Sequence, residues 1–332
     1  MVKPLRHSGV LAVLICISAN PAIDRRLRLK SIAVGEVNRA LSAEPLPGGK
    51  AAHVAMVAHA LGSEVMWVGF LGGAAGEECE TGLSALGLPL TVVRTGSETR
   101  ANLEIISSDG TITEILEPGG TVTESEVERF VGTCRDLFAE SRPDTQVVIS
   151  GSLPPGAPVD LYSELVRLAH AYNFRALLDT SGEALSHGLK AGPDLIKPNR
   201  DEASAFAGYP ITNAIAATEV AQTFFKANAR SVALSLGADG MLWQGSLDSP
   251  PFISKLPAIS NRSSVGSGDA ALAGFAVAYE RGLCEEEAIG LAVACGAANC
   301  LAEAPGQIDP RHVDRLASQV MVQRLHSECQ AK

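Results

Sequence analysis

The clearest chemical signal in the sequence is a glycine turn that leads into an apolar helix. It is written Ser263-Ser-Val-Gly-Ser-Gly-Asp269 and continues as Ala270-Ala-Leu-Ala-Gly-Phe275. Backbone N–H groups at a helix start have no intrahelical partner, and the helix dipole favours negative charge there, so this turn suits an anion. Asp269 lies in the first turn of the predicted helix. Taken alone, such a carboxylate is also typical of a charge that only stabilises the helix start.

A second pair of signals lies near the beginning of the chain. Asp24 closes the run Asn20-Pro-Ala-Ile-Asp24 after the first predicted strand, where parallel sheets open a ligand crevice. An Asx turn is the alternative explanation for this aspartate. The run Pro47-Gly-Gly-Lys-Ala-Ala-His53 then opens a helix and offers free N–H groups and one cation to an anionic or polyhydroxyl ligand. Lys50 could equally be a solvated helix residue.

A third signal is the run Ile196-Lys-Pro-Asn-Arg-Asp-Glu202. Asn199 and Glu202 are three residues apart, so they share one face of a short helix, and oxygen ligands of this kind suit Mg²⁺ held partly through water. The spacing Gly266-x-Gly268-x-x-Ala271 weakly matches a dinucleotide fingerprint, but that fingerprint belongs in a first βαβ unit. The chain contains no G-x-x-x-x-G-K-[ST] motif, which excludes a P-loop.

The elements that must position these residues alternate between apolar strands and amphipathic helices, which is typical of an α/β fold with a mostly parallel sheet flanked by helices. The predicted strands are Val10–Ile17, Glu64–Phe70, Gln146–Ser150, Ala176–Asp179, Leu195–Lys197 and Ser231–Leu236. The predicted helices are Lys50–Leu61, Gly76–Leu86, Glu124–Glu140, Val159–Tyr172, Thr218–Ala227, Gly268–Arg281 and Glu285–Leu301.

Two segments break this alternation, about 26–43 and 100–117. Both show near period-two patterns, and the second contains the hairpin signal Ser108-Asp109-Gly110. We expect them to pair into a small antiparallel sheet that acts as a lid on a single domain, residues 1–332.

Composition narrows the class of protein further. The 332 residues are 46% apolar, and a net charge of −10 with a pI near 5.2 argues against nucleic acid as a partner. The seven cysteines form no C-x-x-C pair, which favours reduced thiols in a cytoplasmic protein. Val10–Ile17 imitates a short secretory signal, but the Asn-Pro that follows it is also typical of a buried strand entering a turn. No apolar run is long enough to span a bilayer, so no membrane partner is expected.

Together these residues resemble the ribokinase/PfkB family of small-molecule kinases, and within it the branch of 1-phosphofructokinase and tagatose-6-phosphate kinase. Nine motifs in family order carry the resemblance over nearly the whole chain: Asn20-Pro-Ala-Ile-Asp24, Gly35-Glu-Val-Asn-Arg39, Pro47-Gly-Gly-Lys50, Gly69-Phe-Leu-Gly-Gly73, Thr99-Arg-x-Asn102, Ser150-Gly-Ser-Leu-Pro-Pro155, Lys197-Pro-Asn-x-x-Glu202, Ser235-Leu-Gly-x-x-Gly240 and Val265-Gly-x-Gly-Asp269. The resemblance implies a ribokinase-like fold, ATP and Mg²⁺ as cofactors, and a sugar phosphate as acceptor.

The resemblance also implies a role for each matching position. Asp269 is similar to the catalytic base, and the backbone of Gly266, Ser267 and Gly268 to the anion hole for the phosphoryl group. The positions implied for the sugar phosphate are Asp24, Gly48, Gly49, Lys50, His53, Arg100 and Asn102. The positions implied for ATP are Lys197, Asn199, Ser235, Gly237, Gly240 and Asn299, with Asn199 and Glu202 holding Mg²⁺ through water.

Four positions depart from the family pattern. Ala51 and His53 replace the usual Gly-x-Asn after Gly-Gly-Lys, Ser263 stands where Asn or Asp is common, and Ala270 replaces Ser. These departures bear on the acceptor and on the nucleotide site rather than on the reaction type.

Several other classes of protein compete with this interpretation. A dinucleotide-dependent oxidoreductase would explain the glycine-rich turn, but the negative charge of Asp269 would then face the negatively charged pyrophosphate. A nucleoside or unphosphorylated-sugar kinase leaves Lys50 and Arg100 nothing to neutralise, and a non-catalytic sugar sensor would be expected to lose the base or the anion hole. The family also implies a homodimer that packs two lids together, and the period-two residues proposed for that interface are Leu27, Leu29, Ile32, Leu103, Ile105 and Ile115.

Overall fold

The computed structural model describes residues 14–259 and 262–325. In this part of the chain the strands are β1 Leu14–Ser18, β2 Ala22–Leu29, β3 Ser42–Gly48, β4 Val65–Leu71, β5 Leu90–Arg94, β6 Arg100–Ser107, β7 Ile112–Ile115, β8 Gln146–Ser150, β9 Arg175–Asp179, β10 Leu195–Ile196, β11 Val232–Ser235, β12 Met241–Gln244, β13 Phe252–Lys255 and β14 Met321–Arg324. The helices are α1 Lys50–Ala60, α2 Gly73–Ala85, α3 Glu124–Glu140, α4 Leu161–Ala171, α5 Gly182–Leu189, α6 Arg200–Ala207, α7 Ala214–Lys226, α8 Ser267–Glu280, α9 Glu285–Leu301 and α10 Pro310–Ala317.

Within the described residues ten strands form the main sheet, in the order β14-β13-β12-β11-β10-β9-β8-β1-β4-β5. The seven neighbouring strands β11-β10-β9-β8-β1-β4-β5 pair in parallel, whereas β12, β13 and β14 add an antiparallel edge. The central strands β1, β4 and β8 are buried along their whole length, as expected for apolar strands covered on both faces. The predicted α/β fold with a mostly parallel sheet is confirmed.

The helices cover the two faces of this sheet and enclose two hydrophobic clusters. One cluster joins α1, α2, α8 and α9 to the sheet, and the other joins α3, α4, α5 and α7 to the opposite face. Helix α8 is buried almost throughout, because it lies between α1 and α9. The start of α8, which contains Asp269, is therefore fixed by packing on both sides.

The second, smaller sheet has the order β3-β2-β6-β7 and matches the small sheet expected from the period-two segments. Its two outer pairs are antiparallel, but its central pair, β2 and β6, is parallel. The hairpin signal Ser108-Asp109-Gly110 does lie between β6 and β7, where Gly110 has a φ of 87° and Asp109 accepts a hydrogen bond from Thr111 N. The first segment differs from its predicted bounds, since residues 30–41 connect β2 to β3 without a strand.

Other differences from the predicted elements concern short segments. Strands β5, β12, β13 and β14 and helices α5, α6 and α10 were not predicted; they have four to eight residues each, too few to show a clear period. Residues 10–13 of the first predicted strand lie outside the described residues. Among residues 14–259 and 262–325 no helix is long and apolar enough to cross a membrane.

Candidate active site

The acceptor end of the candidate site lies where the small sheet meets the start of α1. Gly49 caps that helix with a φ of 91°, a backbone conformation that favours glycine. A Cβ atom on Gly48 would lie 2.1 Å from Asp24 Oδ2, so the carboxylate of Asp24 packs directly on this glycine. Asn102 pairs with Asp24 across the parallel strands and donates a hydrogen bond of 2.9 Å from Nδ2 to Asp24 Oδ1. The Gly48–Gly49 turn and the side chains of Asp24 and Asn102, all predicted to bind the sugar, therefore lie close together.

His53 connects this group to Asp269. The ring of His53 is buried, with Nδ1 2.9 Å from Asp269 Oδ2 and Nε2 3.6 Å from Asp24 Oδ2. Burial lowers the pKa of His53, but the two carboxylates outweigh that effect and raise it to about 10. At neutral pH the side chain is thus an imidazolium between two carboxylates, and in turn it holds the pKa of Asp24 below its usual value against the effect of burial.

Asp269 occupies the first turn of α8, as the sequence predicts. Gly266 caps the helix in the left-handed conformation with a φ of 75°, and Ser267 N bonds back to Ser264 O at 3.1 Å. The carboxylate of Asp269 is buried, in the first turn of a helix whose leading N–H groups have no intrahelical partner. The N–H groups at the helix start can hold an anionic ligand. The neighbouring carboxylate of Asp269 can then accept a proton from a group that reacts with this ligand.

A second cluster of charges lies beside this turn, and it contains a residue that the sequence analysis did not single out. Asp179, at the end of β9, is fully buried and contacts Lys50 Nζ at 3.0 Å and Lys197 Nζ at 3.1 Å. Burial raises the pKa of Asp179, but the two lysines lower it below its ordinary value. Lys197 in turn approaches the anion turn, since a Cβ on Gly268 would lie 3.1 Å from Lys197 Nζ.

The signal for Asp179 was present in the sequence. It ends a predicted strand, just as Asp24 follows one, and carboxyl ends of parallel strands line the ligand crevice of open α/β sheets. Lys50 lies closer to this cluster than its predicted role at the acceptor's phosphate suggests, because its ammonium group contacts Asp179 and, at 3.6 Å, Glu202. Asp179 raises the pKa of Lys50 against the effect of burial.

Asn199 and Glu202 form a capping box at the start of α6. Asn199 Oδ1 accepts from Glu202 N at 2.8 Å, and Glu202 Oε2 accepts from Asn199 N at 2.9 Å. The two residues do lie together, but Asn199 is the cap that precedes α6 rather than a residue on a face of the helix. Glu202 Oε1 faces Lys50. No cluster of three or more acidic, histidine or cysteine side chains suited to a metal occurs in the described part of the chain.

The remaining nucleotide positions lie at the ends of neighbouring strands. Ser235 ends β11 and pairs with Asn199, and Gly237 and Gly240 bound a single turn of 3₁₀-helix. Asn299 is buried in α9 and spans two backbone segments: its Nδ2 donates to Val265 O at 2.7 Å and its Oδ1 accepts from Gly306 N at 2.8 Å. Asn299 therefore braces the turn before α8.

Arg100 makes its hydrogen bonds with groups other than those that Lys50 contacts. Its guanidinium donates to the carbonyl oxygens of Asn20, Pro21 and Glu117 at 3.0, 3.4 and 3.0 Å. It links the small sheet to the segment after β1. Burial lowers the pKa of Arg100, and the nearby carboxylate of Asp24 offsets only part of that effect. Ser263, one of the four departures, accepts a hydrogen bond from Val265 N at 3.1 Å and so stabilises the turn.

Comparison with known proteins agrees with this geometry. The profile of the pfkB family of carbohydrate kinases matches residues 14–310. The chain is 32% identical to tagatose-6-phosphate kinase of Staphylococcus epidermidis over 93% of its own length and 99% of the relative. It is 31% identical to 1-phosphofructokinase of Haemophilus influenzae, over 86% and 90%.

Solved structures that are similar to this chain also belong to sugar-phosphate kinases. Phosphofructokinase-2 from Escherichia coli has been solved in complex with fructose-6-phosphate and in a tetrameric inhibited form. Each of the two structures has a TM-score of 0.83 and 26% identity to this chain, over 93% of this chain and 99% of the other. With the profile matched over most of its length, the chain belongs to the pfkB family of carbohydrate kinases, phosphotransferases that act on a sugar hydroxyl with ATP as a substrate.

Proposed function

We propose that this protein transfers the γ-phosphoryl group of ATP to a hydroxyl of a phosphorylated ketohexose, with Asp269 as the general base. The observation that carries the proposal is the position of Asp269: it is buried, at the start of α8, and bonded to His53 beside Asp24. A carboxylate there can accept the proton of an alcohol while the adjacent N–H groups face the transferring phosphoryl group.

The acceptor side needs groups that hold hydroxyls and orient the base. Asp24 and Asn102 present a carboxylate and an amide on one face of the small sheet. The imidazolium of His53 holds Asp269 Oδ2, and we assign Oδ1 as the atom that takes the proton from the acceptor. A base fixed in this way does not have to reorganise during transfer. Most of the catalysis of phosphoryl transfer originates in such prior positioning of the reacting groups.

The nucleotide side needs positive charge and a metal ligand. Mg²⁺ keeps several waters and takes one or two carboxylates together with phosphates, so the single carboxylate of Glu202 fits it. We propose that Glu202 holds the ion through water, and that Asn199 contributes by fixing Glu202 through the capping box. When bound, Mg²⁺ neutralises charge on the phosphates. Lys197 and the turn Gly266–Gly268 would contact the transferred group.

The acceptor's own phosphate is assigned to Lys50 and Arg100. The names of the relatives support this assignment, since they refer to tagatose-6-phosphate and 1-phosphofructokinase activities, and one solved relative contains fructose-6-phosphate. One observation favours a second candidate, a kinase for an unphosphorylated sugar or a nucleoside: Lys50 contacts carboxylates and Arg100 contacts carbonyl oxygens.

A coupled assay of ADP release tests the proposal and separates the two candidates. The acceptors to compare are fructose 1-phosphate, fructose 6-phosphate, tagatose 6-phosphate, fructose, ribose and adenosine, each with ATP and Mg²⁺. We expect the highest kcat/KM for one of the three phosphorylated ketohexoses. Faster turnover of ribose or adenosine than of every sugar phosphate would overturn the acceptor class. No acceptor-dependent ADP release at all would point to a non-catalytic sugar sensor.

We further propose that two copies associate through the small sheet. Six of the large apolar side chains exposed in the described part of the chain belong to this sheet and its connections: Ile32, Val34, Val37, Leu41, Ile115 and Leu116. Of the residues expected at the interface, Ile32 and Ile115 are exposed, Leu27 and Leu103 are half-buried, and Leu29 and Ile105 are already buried within one chain. Side chains alternate between the faces of a strand, so Leu27, Leu29, Leu103 and Ile105 share one face of the small sheet. This face is covered by its own chain at Leu29 and Ile105 and only partly covered at Leu27 and Leu103.

Sedimentation checks this assembly. We expect a homodimer at micromolar concentration, and a monomer for Val37→Asp, because a charge in an apolar interface must be desolvated without a partner. Ile215→Asp, at an exposed apolar position on α7, should leave the assembly unchanged. A fully active wild-type monomer would remove the dimer and leave the kinase untouched. A larger species would agree with the tetrameric form solved for the E. coli relative.

Use of ATP also supports the cytoplasmic location expected from the sequence.

A further inference from the structure

The small sheet contains a buried ion pair next to the groups assigned to the acceptor. Arg26 and Glu104 are paired across β2 and β6, with Arg26 Nε 2.6 Å from Glu104 Oε2 and side chains only 7% and 6% exposed. Each lies two residues beyond Asp24 or Asn102, so all four side chains share one face of the sheet.

This pair is a poor choice for stability alone. The desolvation free energy of a buried ion pair is larger than that of a surface pair. Apolar residues of similar volume often give the fold equal or greater stability. Glu104 Oε1 in addition has no hydrogen-bond partner among the described residues. A buried charge pair in this position calls for a contact that apolar side chains could not make.

Arg26 makes such a contact. Its Nη1 donates to the carbonyl oxygen of Glu303, in the loop that follows α9. Glu104 therefore holds one edge of the guanidinium while the other edge holds a backbone segment 277 residues away in the chain. The planar guanidinium suits this double role, because its N–H groups point in fixed directions.

The loop held by Arg26, residues 303–306, braces the turn that precedes α8 from two sides. A Cβ on Gly266 would lie 2.9 Å from Pro305 Cβ, so Pro305 packs directly on the residue that caps α8. Gly306 N donates to Asn299, and Asn299 donates to Val265 O in the same turn. A continuous set of contacts thus runs from the small sheet to the anion turn.

We propose that Arg26 is a positioning residue that couples the placement of the small sheet over the acceptor to the geometry of the Gly266–Gly268 anion turn. This inference rests on the proposed kinase function. The coupling matters because a phosphoryl group that is activated before the sheet covers the acceptor is open to attack by water. Arg26 gives the sheet a means to hold the anion turn through residues 303–306.

Three variants test this role. Arg26→Met breaks the link, and Arg25→Met is the matched control, because Arg25 lies on the other face of β2 and pairs with the half-exposed Glu78. The double variant Arg26→Met/Glu104→Leu removes the buried unpaired carboxylate but does not restore the contact with Glu303. It separates loss of stability from loss of positioning.

For Arg26→Met and for the double variant we expect kcat for transfer to fall by about 10²-fold, the cost of a small misplacement of reacting groups. The ratio of ADP released to sugar bisphosphate formed should rise above one in both, because part of the ATP is hydrolysed by water, and Arg25→Met should resemble the wild type. If the double variant recovers stability, transfer and coupling together, the pair is only structural and the proposal is wrong.

Hydrogen–deuterium exchange provides a readout that does not depend on activity. We expect amides 262–269 to exchange faster in Arg26→Met and in the double variant, and to be unchanged in Arg25→Met. Faster exchange in a protein that phosphorylates no acceptor would support the physical link while the proposed function fails. Unchanged exchange at 262–269 in both Arg26 variants would overturn the link whatever the activity.

Discussion

Asp269→Asn is expected to lower kcat by about 10² to 10⁴-fold, the usual cost of losing a general base. Asparagine keeps the size of the side chain and can still contact His53, which retains Asp24 as a counter-charge, so folding and substrate binding should change little. Steady-state kinetics at saturating ATP and sugar phosphate measure the loss. Because the change affects the transfer step, kcat should fall far more than KM rises.

The control for this variant is another carboxylate in a helix first turn. Glu285 lies in the first turn of α9 and is exposed, so Glu285→Gln removes only a charge that favours the helix start, worth about 0.3–1 kcal/mol. We expect its kcat to remain at the wild-type value. A near-wild-type kcat for Asp269→Asn as well would reduce Asp269 to the same helix-stabilising role.

Asp179→Asn is expected to lower the free energy of unfolding by about 3–5 kcal/mol, because it leaves the buried Lys197 without its counter-charge. Asp179 is fully buried and Lys197 is 3% exposed, so water cannot replace the lost partner. Urea unfolding at neutral pH measures the loss, and an unchanged m-value would show that the unfolded state is not altered. A loss below about 1 kcal/mol, as for a surface pair, would contradict this account.

The matched control is Asp144→Asn. Asp144 pairs with Arg142 at 3.0 Å with both side chains exposed, so its removal should hardly change stability. The pH dependence adds a second check. The folded-state pKa of Asp179 is lowered by Lys197 and Lys50, so its stabilising effect is present above its unfolded pKa of about 3.9 and is lost as the pH falls through the folded value. The Asn variant should lose this part of the acid dependence.

The parts of the site that the sequence predicted are those determined by local chain geometry. The Gly266–Asp269 turn, the Gly48–Gly49 turn and the closeness of Asn199 to Glu202 each depend on residues within a few positions of one another, although the capping box that joins the last two was not predicted. Local backbone preferences and helix-start chemistry are sufficient to define such features. The alternation of apolar strands and helices predicted the main sheet for the same reason.

What could not be predicted depends on pairing between distant segments. A period-two pattern does not specify whether β2 meets β6 in parallel or antiparallel fashion, and only the parallel register brings Arg26 beside Glu104. The contacts of Lys50 with Asp179 and of His53 with both carboxylates likewise join separate parts of the chain. The antiparallel edge strands β12–β14 have four residues each, too short for a period to appear.

The distance along the chain between the groups of the site has a consequence for synthesis. His53 and Asp269 are 216 residues apart, and Arg26 and Glu303 are 277 apart, so the site is closed by contacts between the two ends of the described chain. Contacts of such sequence separation form late in folding, because a long loop must first be closed. On the ribosome the early strands can emerge and collapse, and Asp24 can meet Asn102 and Arg26 can meet Glu104, but His53 lacks Asp269 and Arg26 lacks the Glu303 carbonyl until the segment through Gly306 has left the exit tunnel. A polypeptide whose translation stops before this point would lack the His53–Asp269 and Arg26–Glu303 contacts, so it would be an incompletely folded substrate for quality-control proteases rather than a partly active enzyme.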